Sequence, residues 1–203
     1  MIVVTLASLL LAGGVAGPID AYDGMSRVDA TRVIAVCVMK RDRTGAMAVA
    51  QTDPATPNFK KAAARINPAL ATCLKAQAAS LTIRVNDMRG VLAEGFRRED
   101  EGASLVRARA LSPTTPKRVN FGKSEALNDA TLFRCVVDAA PAQAATMVLA
   151  QPGSVDEGAA FREMAPALQA CVPENAEVHL KPFQIRLLVA ASLYGRLAAL
   201  PGA

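Results

Sequence analysis

Two cysteine pairs of identical spacing constrain this chain more than any other feature. Cys37 and Cys73 lie 36 positions apart, Cys135 and Cys171 repeat that spacing, and the second pair follows the first by 98 residues. The flanking residues echo each other as well. Cys37-Val38-Met39 answers Cys135-Val136-Val137, and Pro68-Ala69-Leu70-Ala71-Thr72-Cys73 answers Pro166-Ala167-Leu168-Gln169-Ala170-Cys171. The pattern reads as an internal duplication. Four cysteines allow three pairings, and a duplicated unit that closes its own bridge selects Cys37–Cys73 and Cys135–Cys171. Each bridge would close about 37 residues of chain, for which loop entropy gives roughly 4 kcal/mol of stabilisation. A four-thiolate zinc site or free buried thiols are the alternatives, but zinc sites usually contain close pairs such as C-x-x-C. No two cysteines here are close in sequence.

The residues between the cysteines favour helix. Of 203 residues, 52% are hydrophobic but only 4% aromatic, and there is no Trp. Alanine and leucine lose little side-chain freedom in a helix, whereas strand-rich folds use more aromatic and β-branched residues. The amino terminus stands apart. Residues 2–11 are apolar except for Thr5 and Ser8, and small residues follow through Gly17 before Pro18 and Asp20. Such a run reads as a secretory signal peptide over residues 1–17, and it falls short of a bilayer span. No Lys or Arg precedes the apolar run, so an uncleaved anchor and a buried N-terminal helix stay open. Disulfides persist in oxidising compartments, in agreement with export to the periplasm or beyond.

Periodicity divides the rest into helical repeat 1 (18–98), a charged Pro-containing linker (99–123) and helical repeat 2 (124–203). In repeat 1, helices are expected over 28–42 and 46–51, then from Pro57 to Cys73. Thr56 would cap this last helix, and Pro57 would take its first position. Pro68 and Pro166 each precede a cysteine by five residues, which suggests a kink or a junction of two short helices, with Asn67 capping the second in repeat 1. Residues 81–85 and 178–181 alternate like short strands. Asn86 would cap a closing helix over 86–98. In repeat 2, Ser124 and Ser154 are caps, the latter with Glu157 as a capping box, and residues 183–200 form the last helix. The expected architecture is all-α: two tandem disulfide-stapled helical repeats related by a pseudo-two-fold, with one short pair of extended segments joining them. Helix 86–98 carries charge on a wet face. Helix 183–200, apolar for most of its circumference, is expected to be the central element packed against both repeats.

Charge is unevenly shared. Residues 18–83 hold nine Lys/Arg and five Asp/Glu, while residues 124–178 hold two and eight. The linker is basic. Arg97, Arg98, Arg107, Arg109, Lys117 and Arg118 could follow an anionic lipid or glycan surface, although a solubilising stretch is the simpler reading. Only Phe121 could stack on a base there, which argues against single-stranded nucleic acid.

Catalytic patterns are sparse. The one histidine, His179, is expected to be half-buried and structural, with no G-x-S-x-G elbow to accompany it. Metal sites built on two or three histidines are excluded, and neither a phosphate loop nor a dinucleotide fingerprint is present. Neither a cofactor nor a metal is expected. Glu99-Asp100-Glu101 is the tightest carboxylate cluster, and it reads as a solvated surface group.

The duplicated Cys-Val-Val start, the Pro-Ala-Leu-x-x-Cys end and the closing helices (Val91 to Arg97; Val189 to Tyr194) resemble uncharacterised exported proteins of alpha-proteobacteria. That resemblance covers most of both repeats. It implies periplasm or secretion and carries no activity or site residues. The function expected is a non-enzymatic exported binding or scaffolding protein, with a protein partner or self-association. A small carboxylate-dependent hydrolase drawing on the linker, or a carrier of an apolar ligand in a cavity of several hundred Å³, are the competing readings.

Overall fold

A computed structural model describes residues 27–75, 83–100, 103–174 and 176–200. The signal segment at 1–17 lies outside these residues. The described chain is all-α: α1 (Arg27–Arg41), α2 (Arg43–Gln51), α3 (Pro57–Lys75), α4 (Val85–Glu99), α5 (Ala103–Arg109), α6 (Glu125–Ala139), α7 (Pro141–Leu149), α8 (Val155–Cys171) and α9 (Pro182–Ala198). Helices α6, α7 and α8 each begin 98 residues after α1, α2 and α3, and α9 begins 97 after α4. Residues at corresponding positions do the same packing work. Ile34 and Leu132, Val38 and Val136, Val49 and Met147, and Ile66 and Met164 are all buried.

Both expected bridges are formed. Cys37–Cys73 ties α1 to α3 and Cys135–Cys171 ties α6 to α8, each with Cα atoms 6.0 Å apart. Such bridges belong to an oxidising compartment outside the cytoplasm. Among the described residues no single helix is long and apolar enough to cross a membrane.

Several local expectations are revised. α3 and α8 run unbroken through Pro68 and Pro166, so neither is divided there and Asn67 caps nothing. α4 starts at Val85 with Arg84 at its N-cap, and Asn86 instead donates from Nδ2 to the Ala126 carbonyl at 2.9 Å. Ser124 stands at the N-cap of α6 without a side-chain cap bond. Ser154 does cap α8, accepting from Glu157 N–H at 3.2 Å. The Glu157 carboxylate, however, reaches back to the Gly153 N–H at 2.6 Å, one residue beyond a standard capping box. Gly153 makes this possible by adopting φ 76°, a conformation that costs glycine little.

The extended pair is not formed among the described residues. Ile83 makes an isolated bridge, Val85 is already helical, and residues 178–181 belong to no strand; Leu81 and Thr82 lie outside the described residues. The linker is partly helical as α5, which packs on α7 and α9. Its Pro-containing centre is irregular and pinned by two backbone bonds, Thr114 N–H to Asp138 O at 2.8 Å and Val119 N–H to Cys171 O at 2.9 Å.

The core is organised on α4 and α9. These two helices form the most extensive helix pair, and α9 also packs against α2, α5, α6 and α7. The central position expected for the last helix is therefore observed. α4 is no less buried. Asn86, Asp87, Arg89 and Glu94 are withdrawn from solvent together with Met88, Val91, Leu92 and Phe96, so the wet face expected for this helix is absent. The two helices approach closely at Gly90, where an added Cβ would lie 2.4 Å from Leu187 Cβ and 2.6 Å from Leu187 O. Toward the far end of the pair, Phe96 stacks on Tyr194 at 5.8 Å.

Candidate functional site

The polar chemistry of the interior lies along the α4–α9 seam. Arg89 and Arg186 each sit five residues into their helix, at corresponding positions, and both are buried. Removing an arginine from water is costly unless its donors are paired. For Arg186 every donor group has a partner. Its Nε donates to Glu94 Oε1, Nη1 donates to Met147 O and to Glu157 Oε1 at 2.9 Å, and Nη2 donates to Val148 O at 2.9 Å. Arg32 reaches the second oxygen of Glu94 at 3.4 Å. The two carbonyls belong to the last turn of α7, whose acceptors have no partner within their own helix. Arg186 therefore joins α4, α7, α8 and α9.

Arg89 is placed alike and supported differently. Its Nε has no hydrogen-bond partner. Its guanidinium lies over the Phe59 ring, 6.0 Å from the centroid. Phe59 occupies in α3 the position that Glu157 occupies in α8, and Ala191 occupies in α9 the position of Glu94 in α4. The two carboxylates that compensate Arg186 are thus a phenyl ring and a methyl group around Arg89. Burial pushes the Arg89 pKa down to about 10, and the nearby Asp53 carboxylate opposes that shift.

Three clefts of substantial volume open along the seam. The largest, about 670 Å³, has Arg32, Arg84 and Asp29 on one side and Gly153, Glu157 and Lys181 on the other, with Arg186 at its edge. A second, about 380 Å³, is lined by Arg89, Asp53, Arg134, Asp138, Ser192 and Arg196, among others. A third, about 390 Å³, brings Asn86 and Asp87 toward Glu125, Asp129 and Leu188. Burial, reinforced by the Glu125 charge, pushes the Asp129 carboxyl up to about 6, and Arg84 opposes the shift. An apolar cavity under α3, between Phe59, Ile66, Leu70, Leu74 and Met88, holds only about 20 Å³, close to one water. It has no room for an apolar ligand of the size a carrier would enclose.

The residues singled out from sequence are scattered. Arg97 is half-buried near Arg186 and Glu94, and burial followed by the Arg186 charge lowers its pKa. Arg98 is exposed at the end of α4, Arg107 and Arg109 are exposed on α5, and Lys117 and Arg118 lie exposed in the stretch after it. Arg118 pairs with Glu174. The six therefore lie on three separate segments. Glu99 of the linker carboxylates pairs with Arg43 on the surface, and Glu101 lies outside the described residues. His179 is exposed, contrary to expectation, and faces Glu177 at 3.0 Å. Among the described residues no group of three His, Cys, Asp or Glu side chains is placed to hold a metal ion.

Sequence reasoning passed over the seam. One signal was present: an arginine at the same register of both closing helices, flanked in each by apolar residues. No protein-family model matches the chain, and neither a curated protein nor a solved structure matches it.

Proposed function

We propose that the protein is a non-enzymatic exported binding protein that takes a small ligand in the polar seam between its two halves. The observation that carries this reading is the placement of the clefts. The three clefts of about 380–670 Å³ lie on the α4–α9 seam and draw residues from both halves, where ligand sites between packed units commonly form, whereas a shallower one of about 330 Å³ lies away from it against α7 and α8. The two bridges hold α1 to α3 and α6 to α8, which fixes the walls. The resemblance to exported alpha-proteobacterial proteins and the signal-like residues 1–17 favour the periplasm or secretion. A duplicated unit with a pseudo-two-fold at the seam accounts for the common register of the halves and for the contact of Gly90 with its counterpart Leu187.

Thermal unfolding of the oxidised protein tests the reading. The panel would contain amino acids, short organic acids, monosaccharides and dipeptides. A ligand at a hundredfold excess over its Kd adds about 2.7 kcal/mol, or roughly 5–10 °C for a chain of this size. At least one class should give such a shift, and substitutions lining the occupied cleft should remove it. A panel that leaves the midpoint unchanged would sink the seam as a small-molecule site.

A further inference from the structure

Resting on that reading, we infer that the 380 Å³ cleft at Arg89 binds the carboxylate of a small organic acid. The first support is an imbalance of charge at the cleft. It contains three arginines, Arg89, Arg134 and Arg196, against two aspartates, Asp53 and Asp138. Both aspartates are engaged. Asp53 accepts from Arg134 and from the Ala55 N–H at 2.8 Å, and Asp138 pairs with Arg196 at 2.8 Å. The lining keeps one net positive charge, and Arg89, which shares Asp53 with Arg134, is the most buried of the three arginines: it is 4% exposed, and its Nε lacks a partner.

The second support is the other half of the same protein. Arg186, at the corresponding position, is compensated by Glu94 and Glu157. The chain therefore shows what a buried arginine at this register needs, and it omits both groups around Arg89. Ala191, where the counterpart of Glu94 would stand, lines the cleft itself. A ligand carboxylate can occupy the space that a glutamate side chain would fill. A guanidinium offers a planar pair of donors that matches a carboxylate in two parallel bonds. The Phe59 ring covers one face of the guanidinium and leaves its edge for such bonds. The lowered Arg89 pKa has the same origin, a desolvated cation that a bound anion would compensate.

The class of anion follows from the same residues. One surplus positive charge suits a monoanion, whereas a phosphate dianion would face Asp53 and Asp138 with one charge in excess. Pro54, Ala130, Ala191 and Ala199 add apolar wall, so the acid carries a compact apolar body. Ser192 lines the same cleft and supplies a hydroxyl donor for it.

The test uses the full oxidised protein and three titrants at constant ionic strength: benzoate, its neutral isostere benzamide, and inorganic phosphate. The readout is the Arg89 Nε–H resonance in nitrogen-15 correlation spectra. Benzoate should shift it saturably with a midpoint in the millimolar range, with benzamide and phosphate at least tenfold weaker. Arg89→Gln should abolish benzoate binding. Should that variant fail to fold, Ala191→Glu provides the second line, because an internal carboxylate beside Arg89 should exclude benzoate. The inference is overturned if benzoate leaves the Arg89 resonance unmoved, if benzamide or phosphate binds as well as benzoate, or if Ala191→Glu binds benzoate like the wild type. Benzoate binding elsewhere on the seam, with Arg89 silent, would sink this assignment and leave the binding-protein reading standing. Silence from both benzoate and the wider panel would remove both.

Discussion

Arg186 does more than neutralise a charge, and this sets what its substitution should cost. In a plain buried ion pair, losing one partner costs about 3–5 kcal/mol, and replacing both by apolar residues is often neutral. Here Glu94→Gln should cost about 3 kcal/mol, since it weakens the hold on both Arg186 and Arg32. Adding Arg186→Met should not restore stability. The Met147 and Val148 carbonyls would lose their donors, and an unsatisfied buried acceptor costs about 1–3 kcal/mol. Urea unfolding of the single and double variants measures this, and a double variant as stable as the wild type would show that the carbonyls find other partners. Asp129 makes a prediction of opposite sign. Its folded pKa of about 6 lies above the ordinary 3.8, so between those values the folded state holds the proton that the unfolded state has released. Stability then falls as pH rises from about 4 to 6 and stays reduced above. The group is about half-exposed, and solvent screening limits the penalty to about 1 kcal/mol. Asp129→Asn should be more stable than the wild type at pH 7.5 and equal to it at pH 4; the same difference at both values would exclude titration as the cause. None of these roles was legible residue by residue. A charged side chain on an alanine-rich helix reads as solvated, and only the partner helices reveal whether donors for α7 or a second carboxylate are near.

At the scale of elements, the period of the sequence was enough to place most helices, and tertiary contacts decided the rest. The expected 28–42 and the observed α1 (Arg27–Arg41) differ by one residue at each end, although Val33 and Val36 of its apolar pattern are exposed. The extended segment at 81–85 misled because alternation over five residues is a short signal. Val85 joins α4, whose apolar run outweighs it. Of the two readings of the prolines, the junction of short helices is absent: Pro68 and Pro166 remove one backbone bond each, but α3 and α8 stay continuous, anchored by packing and by their cysteines. The α4–α9 crossing was hidden for a different reason. Gly90 reads as a weak point of a helix, worth about 1 kcal/mol less than alanine by propensity. In the structure its missing Cβ lets Leu187 approach, and an added carbon would stand 2.4 Å from a side-chain atom and 2.6 Å from a backbone one. Backbone cannot give way as a flexible side chain does. Overpacking of this kind costs typically 1–3 kcal/mol, which exceeds the helical gain. Gly90→Ala should therefore destabilise the protein by about 1–2 kcal/mol and disturb the clefts on either side. Chemical denaturation would reveal it, and a stabilised variant would mean that the helices are not held at this distance.

For the molecule as a whole, bridges and seam divide the task of holding it together. Each bridge closes a loop within one half, so each adds stability to its own half and none across the seam. What joins the halves is packing, together with the Glu94–Arg186 and Asp53–Arg134 pairs. α4 and α9 bury their apolar residues against each other, α2 packs on α9, and α5 follows the first half in sequence but packs on α7 of the second. Neither half covers its closing helix alone: without α9, the α4 residues Arg89, Gly90 and Glu94 would meet solvent beside Val91 and Leu92. The covalent connection between α5 and α6 contributes little by comparison, since residues 112–115 are exposed. A protease site inserted between Thr114 and Thr115 would separate these contributions. After cleavage of the oxidised protein the two fragments should co-elute at the size of the intact chain and unfold in one transition, with a midpoint that now depends on concentration. Each fragment expressed alone should show helix without a cooperative transition, even with its bridge formed. If the cleaved fragments part without denaturant, or if one half folds cooperatively by itself, the seam is not the element that makes this one molecule, and a binding site built from both halves would lose its walls.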